Sequence, residues 1–105
     1  WLATGSPGGS RIITTVLQTL LNAMAFDMNV AAAGMNSRIH HQWLPDEILA
    51  ESGISPDTVN LLQQKGHKVV LGGQTIGRTQ SIMLEDGWLL GATDTRRPEG
   101  WVAGY

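Results

Sequence analysis

The stretch Gly5-Ser6-Pro7-Gly8-Gly9-Ser10-Arg11, followed at once by the apolar run Ile12 to Phe26, limits the fold more than any other part of the chain. Glycine permits positive φ and close approach of a ligand, and proline fixes φ. A loop of this composition that feeds a helix leaves backbone N–H groups unpaired and pointing outward. Together with the positive end of the helix dipole they suit an anion or an oxyanion. The plainer alternative is a well-turned helix start, since glycine-rich turns are common. Two nucleotide motifs are excluded. A Walker A loop needs a lysine that is absent here, and the spacing of Gly5, Gly8 and Gly9 is not G-x-G-x-x-G. A carbonyl or carboxylate oxygen fits the loop better than a pyrophosphate.

The remaining pattern predicts an α+β domain: an antiparallel sheet with helices packed on it. The 105 residues suffice for a single domain with one modest core. Trp1 to Thr4 reads as the end of a strand. Ile13, Val16, Leu17, Leu20, Leu21 and Met24 recur at helical spacing, which predicts a first helix from near Ser10, covered on both flanks and lying against a sheet. Asn29 is a good N-cap for a second helix through Val30-Ala31-Ala32-Ala33-Gly34-Met35, whose small residues allow close packing. Arg38 to Leu44 is expected to be extended up to Pro45, and Ile48 to Glu51 to form a short strand. Ser55, Pro56 and Asp57 open a third helix that Gly66 stops. His67 to Leu71 reads as a strand. Thr79 to Leu84, the turn Glu85-Asp86-Gly87 and Trp88 to Ala92 read as a hairpin, with Asp94 to Tyr105 as a tail laid over the domain.

Composition removes several function classes. Only 15% of the residues are charged and the net charge is −2, so nothing points to nucleic acid as partner. No apolar run has the length of a membrane span, because Thr14, Thr15, Gln18, Thr19 and Asn22 interrupt the longest one. The absence of cysteine removes disulfide and thiol chemistry. A chain that opens on Trp1, with neither initiator Met nor signal peptide, is expected to be a piece of something longer.

Other candidate chemistry is thinner. His40 and His41 invite a metal, but strand neighbours point to opposite faces and His67 is remote, so structural or surface histidines are expected and no metal. Gln42-Trp43 beside them reads as packing with a hydrogen-bonding edge. Asp94 with Arg96 or Arg97 suits either a carboxylate ligand or an ion pair that pins the tail, and the pair is the favoured reading. Arg11, beside the glycine loop, either meets a ligand or pairs with an internal acid. Ser6, Ser10, Thr14, Thr15 and Ser81 stand in no nucleophile motif, and the sequence names no base for any of them.

Taken together the motifs say more. Gly5 to Ile12 ahead of a long helix resembles the glycine-loop signature of the γ-glutamyltranspeptidases. In the same order, Asn29-Val30-Ala31, Arg38-Ile39-His40-His41-Gln42-Trp43-Leu44-Pro45, Thr79-Gln80-Ser81-Ile82, Ala92-Thr93-Asp94-Thr95-Arg96 and Ala103-Gly104-Tyr105 resemble that family across nearly the whole chain. The resemblance implies the C-terminal portion of an N-terminal-nucleophile hydrolase, an αββα sandwich, and within it the C-terminal part of the small subunit. Family members are zymogens that cleave themselves into a large and a small subunit. The new N-terminal threonine then takes the γ-glutamyl group from glutathione or a related donor as an acyl-enzyme. It passes that group to water or to an amino acid or peptide acceptor. Neither metal nor organic cofactor is implied. Gly8 and Gly9 match the pair whose backbone N–H groups form the oxyanion hole and so contact the substrate. Nothing here matches the nucleophilic threonine; Thr4, Thr14 and Thr15 are not substitutes, and the 105 residues alone are expected to be inactive. The implied partners are the rest of the small subunit and the large subunit, and the implied setting is periplasmic or extracellular. Cut away from those partners, the chain is expected to self-associate. The alternative function is a non-catalytic homologue or binding module that keeps the fold.

Overall fold

A computed structural model describes residues 1–98 and 100–104. The elements in order are β1 (Leu2–Gly5), α1 (Arg11–Met24), α2 (Val30–Met35), β2 (Ile39–His40), β3 (Ile48–Glu51), α3 (Pro56–Gln64), β4 (Val69–Gly72), β5 (Gln80–Glu85) and β6 (Trp88–Thr93). The α+β reading therefore holds, with two three-stranded sheets. The first, in the order β1-β5-β6, is antiparallel throughout. The second, in the order β2-β3-β4, is mixed: β2 runs antiparallel to β3, and β3 runs parallel to β4. The parallel pair follows from α3, because a strand–helix–strand crossover returns the chain in its original direction.

Local signals explain most boundaries. The Asn29 side chain accepts from Ala32 N at 2.9 Å, and Ser55 Oγ accepts from Thr58 N at 3.2 Å, so both act as N-caps. Pro56 occupies the first turn of α3, and Gly66, with φ +93°, ends it. The β5–β6 turn places Asp86 and Gly87 at φ +48° and +83°, the left-handed pair that a two-residue hairpin requires. Gly34 is needed for a different reason: a Cβ there would lie 2.7 Å from Thr79 Oγ1, so α2 packs on the start of β5 at backbone distance.

Three expectations need correction. The stretch from Arg38 to Leu44 is extended only at Ile39–His40. It then turns at Trp43, with φ +77°, where Trp43 N donates to the His41 ring at 3.1 Å. Trp43 is 78% exposed, so it does not pack as expected. The third correction concerns α1. Its buried residues are Thr15, Thr19 and Ala23, a narrow stripe at four-residue spacing that faces α2, β1 and β2. The broad apolar side that carries Ile13, Leu17, Leu21 and Met24 points away from both sheets and is exposed. The period was read correctly, but sequence alone does not say which side of a two-sided helix meets its own chain.

The core is accordingly small and partly polar. Ala33, Ala50 and Ile76 are fully buried beside Thr15, Thr19, Arg38, Thr79 and Asp94. Among the described residues no helix is long and apolar enough to cross a membrane. The tail residues Trp101 to Gly104 lie along the outer face of the β1-β5-β6 sheet as expected, with Trp101 largely exposed. The described residues exclude Glu99 and Tyr105, so the Tyr105 end of that tail lies outside them.

Candidate active site

The glycine loop connects β1 to α1 and takes the conformation its composition allows. Gly8 has φ +138° and Gly9 φ +58°, values that side-chain-bearing residues rarely adopt. Their carbonyls turn back into the helix: Gly8 O accepts from Arg11 N and Gly9 O from Ile12 N, both at 3.1 Å. The Gly9 N–H, in the same peptide as the Gly8 carbonyl, points the opposite way, and among the described residues neither the Gly8 nor the Gly9 N–H has an acceptor. A Cβ built on Gly9 would meet nothing within 4 Å, so the space beside it is open. A 14-residue helix follows these two donors, and the positive end of its dipole adds to them with the same sign.

A cavity of about 300 Å³ opens against this loop, bounded by Pro7, Gly8, Arg11, Thr75, Gly77 and Arg97 among others. Arg97 is steadied there by donating to Thr75 O at 3.0 Å. Gly77, with φ +69°, closes the back of the loop. A Cβ there would stand 2.5 Å from Thr15 Oγ1 and 2.6 Å from Ser6 Oγ, so only glycine lets the 75–78 segment approach. Ser6 Oγ in turn accepts from Arg78 N at 2.8 Å.

The structure splits the remaining candidates. His40 is buried, and its ring lies 2.8 Å from Thr14 Oγ1 and 3.0 Å from Gln42 Oε1. His41 points outward, to Asp46 at 3.2 Å. The two rings thus lie in different surroundings, and the described residues contain no group of three or more His, Cys, Asp or Glu placed to hold a metal ion. Thr4 Oγ1 and Ser81 Oγ bond to each other at 2.7 Å across the β1–β5 pair.

Asp94 is a structural anchor. Arg96 donates to it through Nε and Nη2, both at 2.8 Å, and Arg38 Nη1 does so at 3.0 Å. Arg38 also donates to the backbone oxygens of Gly34 and Ile76, and Glu51 receives both Arg38 N and Arg96 Nη1. Burial acts to raise the Asp94 carboxyl pKa, but the hydrogen bonds from Arg96 and Arg38 outweigh it and hold the group below its ordinary range. Burial lowers the pKa of Arg38, while the bonds from Asp94 and Glu51 outweigh burial at Arg96 and raise it. The ion pair at Asp94 and Arg96 is the one expected from sequence. Arg38 and Glu51 were missed as members, because each looks like an ordinary polar residue beside a strand.

The family model described as gamma-glutamyltranspeptidase matches residues 1–104. The glutathione hydrolase proenzyme of Escherichia coli K12 is 57% identical over 106 residues, which cover 100% of this chain and 18% of that protein. An acivicin-inhibited gamma-glutamyltranspeptidase superposes with a TM-score of 0.87 at 39% identity, covering 92% of this chain and 54% of the other. The gamma-glutamyltranspeptidase of Pseudomonas nitroreducens, in complex with L-DON, does so with 0.84 at 33% identity, covering 98% and 55%. This chain therefore spans about a fifth of the length of the curated relatives it matches.

Proposed function

The chain belongs to the gamma-glutamyltranspeptidase family, and from that premise we propose that it supplies the oxyanion hole of an enzyme transferring γ-glutamyl groups. Its α+β fold is that of these N-terminal-nucleophile hydrolases. The observation that carries the proposal is the pair of unengaged N–H groups on Gly8 and Gly9, fixed at positive φ beside an open cavity.

In this reading a threonine hydroxyl from elsewhere in the full-length protein adds to the γ-glutamyl carbonyl carbon of glutathione or a related donor. The carbonyl oxygen takes up the electron pair, and the two glycine N–H groups receive the resulting charge. Collapse of the adduct expels the amine and leaves an acyl ester. Water or the amino group of an acceptor then attacks that ester, and the same two donors hold the second oxyanion. The rest of the small subunit and the large subunit supply the nucleophile and the glutamate contacts. A periplasmic or extracellular setting belongs to the same reading.

Two measurements test it. The purified 105-residue chain should release no chromogenic amine from a γ-glutamyl anilide, whereas the full-length protein should. An oxyanion hole without a nucleophile lacks the larger part of the catalysis. Turnover by the short chain above a matched blank would reject the assignment. The short chain should also self-associate, because Ile13 and Met24 on α1 are each 76% exposed and Trp88 on the hairpin is 74% exposed. Faces of this kind are covered by neighbours or pair with copies of themselves. Light scattering across a concentration series should give a dimer or larger species, with a specific pair burying about 1,200 Å² or more in total. A strict monomer at high concentration would mean that these 105 residues close their own core.

A further inference from the structure

Ser10 occupies the N-cap position of α1 and does not cap it. Its backbone is helical, at φ −60° and ψ −21°, and its side chain makes no bond to its own helix, unlike Asn29 and Ser55. Instead Ser10 Oγ donates to Gln42 Oε1 at 2.8 Å, across 32 residues of sequence.

The direction of each bond in this contact follows from the chemistry. Leu44 O can only accept, and it lies 3.0 Å from the Gln42 amide nitrogen. That contact fixes the amide with Oε1 toward Ser10 and His40. Gln42 Oε1 also can only accept, so the Nε2 of His40, 3.0 Å away, carries the proton. In the neutral ring Nδ1 is then the acceptor, so the one Thr14 hydroxyl proton goes to it at 2.8 Å and not to Arg11 O, 3.2 Å away. Thr14 lies one turn beyond Ser10 on the same helix, so the path Ser10–Gln42–His40–Thr14 leaves α1 and returns to it. Gln18, a further turn along, bonds the backbone of Ile39 on both sides, giving to Ile39 O at 2.8 Å and taking from Ile39 N at 3.0 Å.

We propose that His40 and Gln42 are positioning residues that hold the exit of the glycine loop through Ser10 and Thr14, and so aim the Gly8 and Gly9 N–H groups. The inference rests on the reading of that loop as an oxyanion hole. A second serine secures the entry: Ser6 Oγ donates to Pro7 O and accepts from Arg78 N, each at 2.8 Å. Between the two hydroxyl anchors lie only Pro7, Gly8 and Gly9. Glycines adopt many conformations, and donors that must be re-aimed at every turnover lose most of their value, so the loop needs an external support. The sequence block around His40 and His41 is that support, and its histidine serves as a shaped hydrogen-bonding spacer.

The experiment uses the full-length, matured protein with Ser10→Ala, Gln42→Ala and the double variant. Gly9→Val serves as the reference, and a γ-glutamyl anilide as the donor. Both side chains to be truncated are exposed, so the core is untouched. Each single variant should lose about tenfold in kcat, the worth of one well-made hydrogen bond, with KM for the donor within about twofold. The double variant should lose no more than the worse single, since both cut the same path. Ser10→Thr, which keeps the hydroxyl, should restore kcat to within about threefold. Where Gln42→Ala does not mature, Ser10→Ala with its Ser10→Thr rescue carries the test alone, since Ser10 cuts the same path at its other end. Unchanged kcat in Ser10→Ala and Gln42→Ala, with Gly9→Val impaired, would refute the support and leave the oxyanion hole standing. Multiplying losses in the double variant, or a rise in KM alone, would refute it as well. Unchanged kcat in Gly9→Val would remove the oxyanion reading itself.

Discussion

Gly9→Val in the full-length protein should lower kcat about 10²–10³-fold, the usual cost of losing one oxyanion donor. Gly9 holds φ +58°, which a β-branched residue does not tolerate, while nothing within 4 Å would obstruct the new Cβ. The substitution therefore meets strain without a clash. The loop relieves that strain by rotating the peptide, and rotation re-aims the Gly9 N–H group. The core is not involved, so the variant should fold and mature, and donor affinity should change far less than turnover. Steady-state kinetics with a γ-glutamyl anilide, alongside a melting curve, make the test. A well-folded variant with parental kcat would show that the backbone of Gly9 takes no part in the chemistry.

Arg38→Leu should have the largest effect on stability, a loss of about 3–5 kcal/mol, as expected when one member of a buried ion pair is removed. Arg38 is 1% exposed and Asp94 fully buried, and the guanidinium also serves the Gly34 and Ile76 carbonyls, which would be left without it. The same cluster sets an acid limit. The Asp94 pKa is lower in the folded protein than its ordinary 3.8, so its contribution is complete above that value and is lost as pH falls through the folded value. Removing Arg38 takes away part of what holds the carboxyl down, so the variant should show a shallower loss of stability on the acid side. Denaturant midpoints of the full-length protein and the variant, taken from neutral pH to about pH 2, measure both effects. Equal midpoints at neutral pH would mean that the cluster is replaceable.

The sequence carried the local decisions well. Asn29, Ser55-Pro56 and Asp86-Gly87 act through contacts a few residues long, so the residue types alone announce the caps and the hairpin. The conformation of the glycine loop was legible for the same reason: consecutive glycines mark where backbone takes positive φ and is exposed. What sequence did not yield depends on distance. Glu51 meets Arg96 across 45 residues and Arg38 meets Asp94 across 56, and no spacing rule connects them. The outer side of α1 misled in another way. Its apolar residues were expected to be covered on both flanks against a sheet, yet within this chain Thr15, Thr19 and Ala23 take that place, because hydrophobicity marks burial in a completed protein and not in one segment of it. His40 and Gln42 belong to a legible motif, but their bonds to Thr14 and Ser10 span 26 and 32 residues, beyond any spacing rule.

The pairing of β1 with β5 has a consequence for synthesis. Leu2 faces Met83 and Gly5 faces Gln80, and the Trp1 carbonyl accepts from Leu84 N at 2.9 Å. Within this chain, the edge that β1 pairs with is made only when β5 has been synthesised. The carboxylate that neutralises Arg38 emerges later still, at Asp94. The Ser6 anchor of the glycine loop likewise takes its Arg78 partner from 72 residues further on. The supports of the glycine loop within this chain are therefore completed late in its synthesis. Translation speed beyond β4, and whatever shields α1 meanwhile, bear directly on how much of the protein reaches an active form.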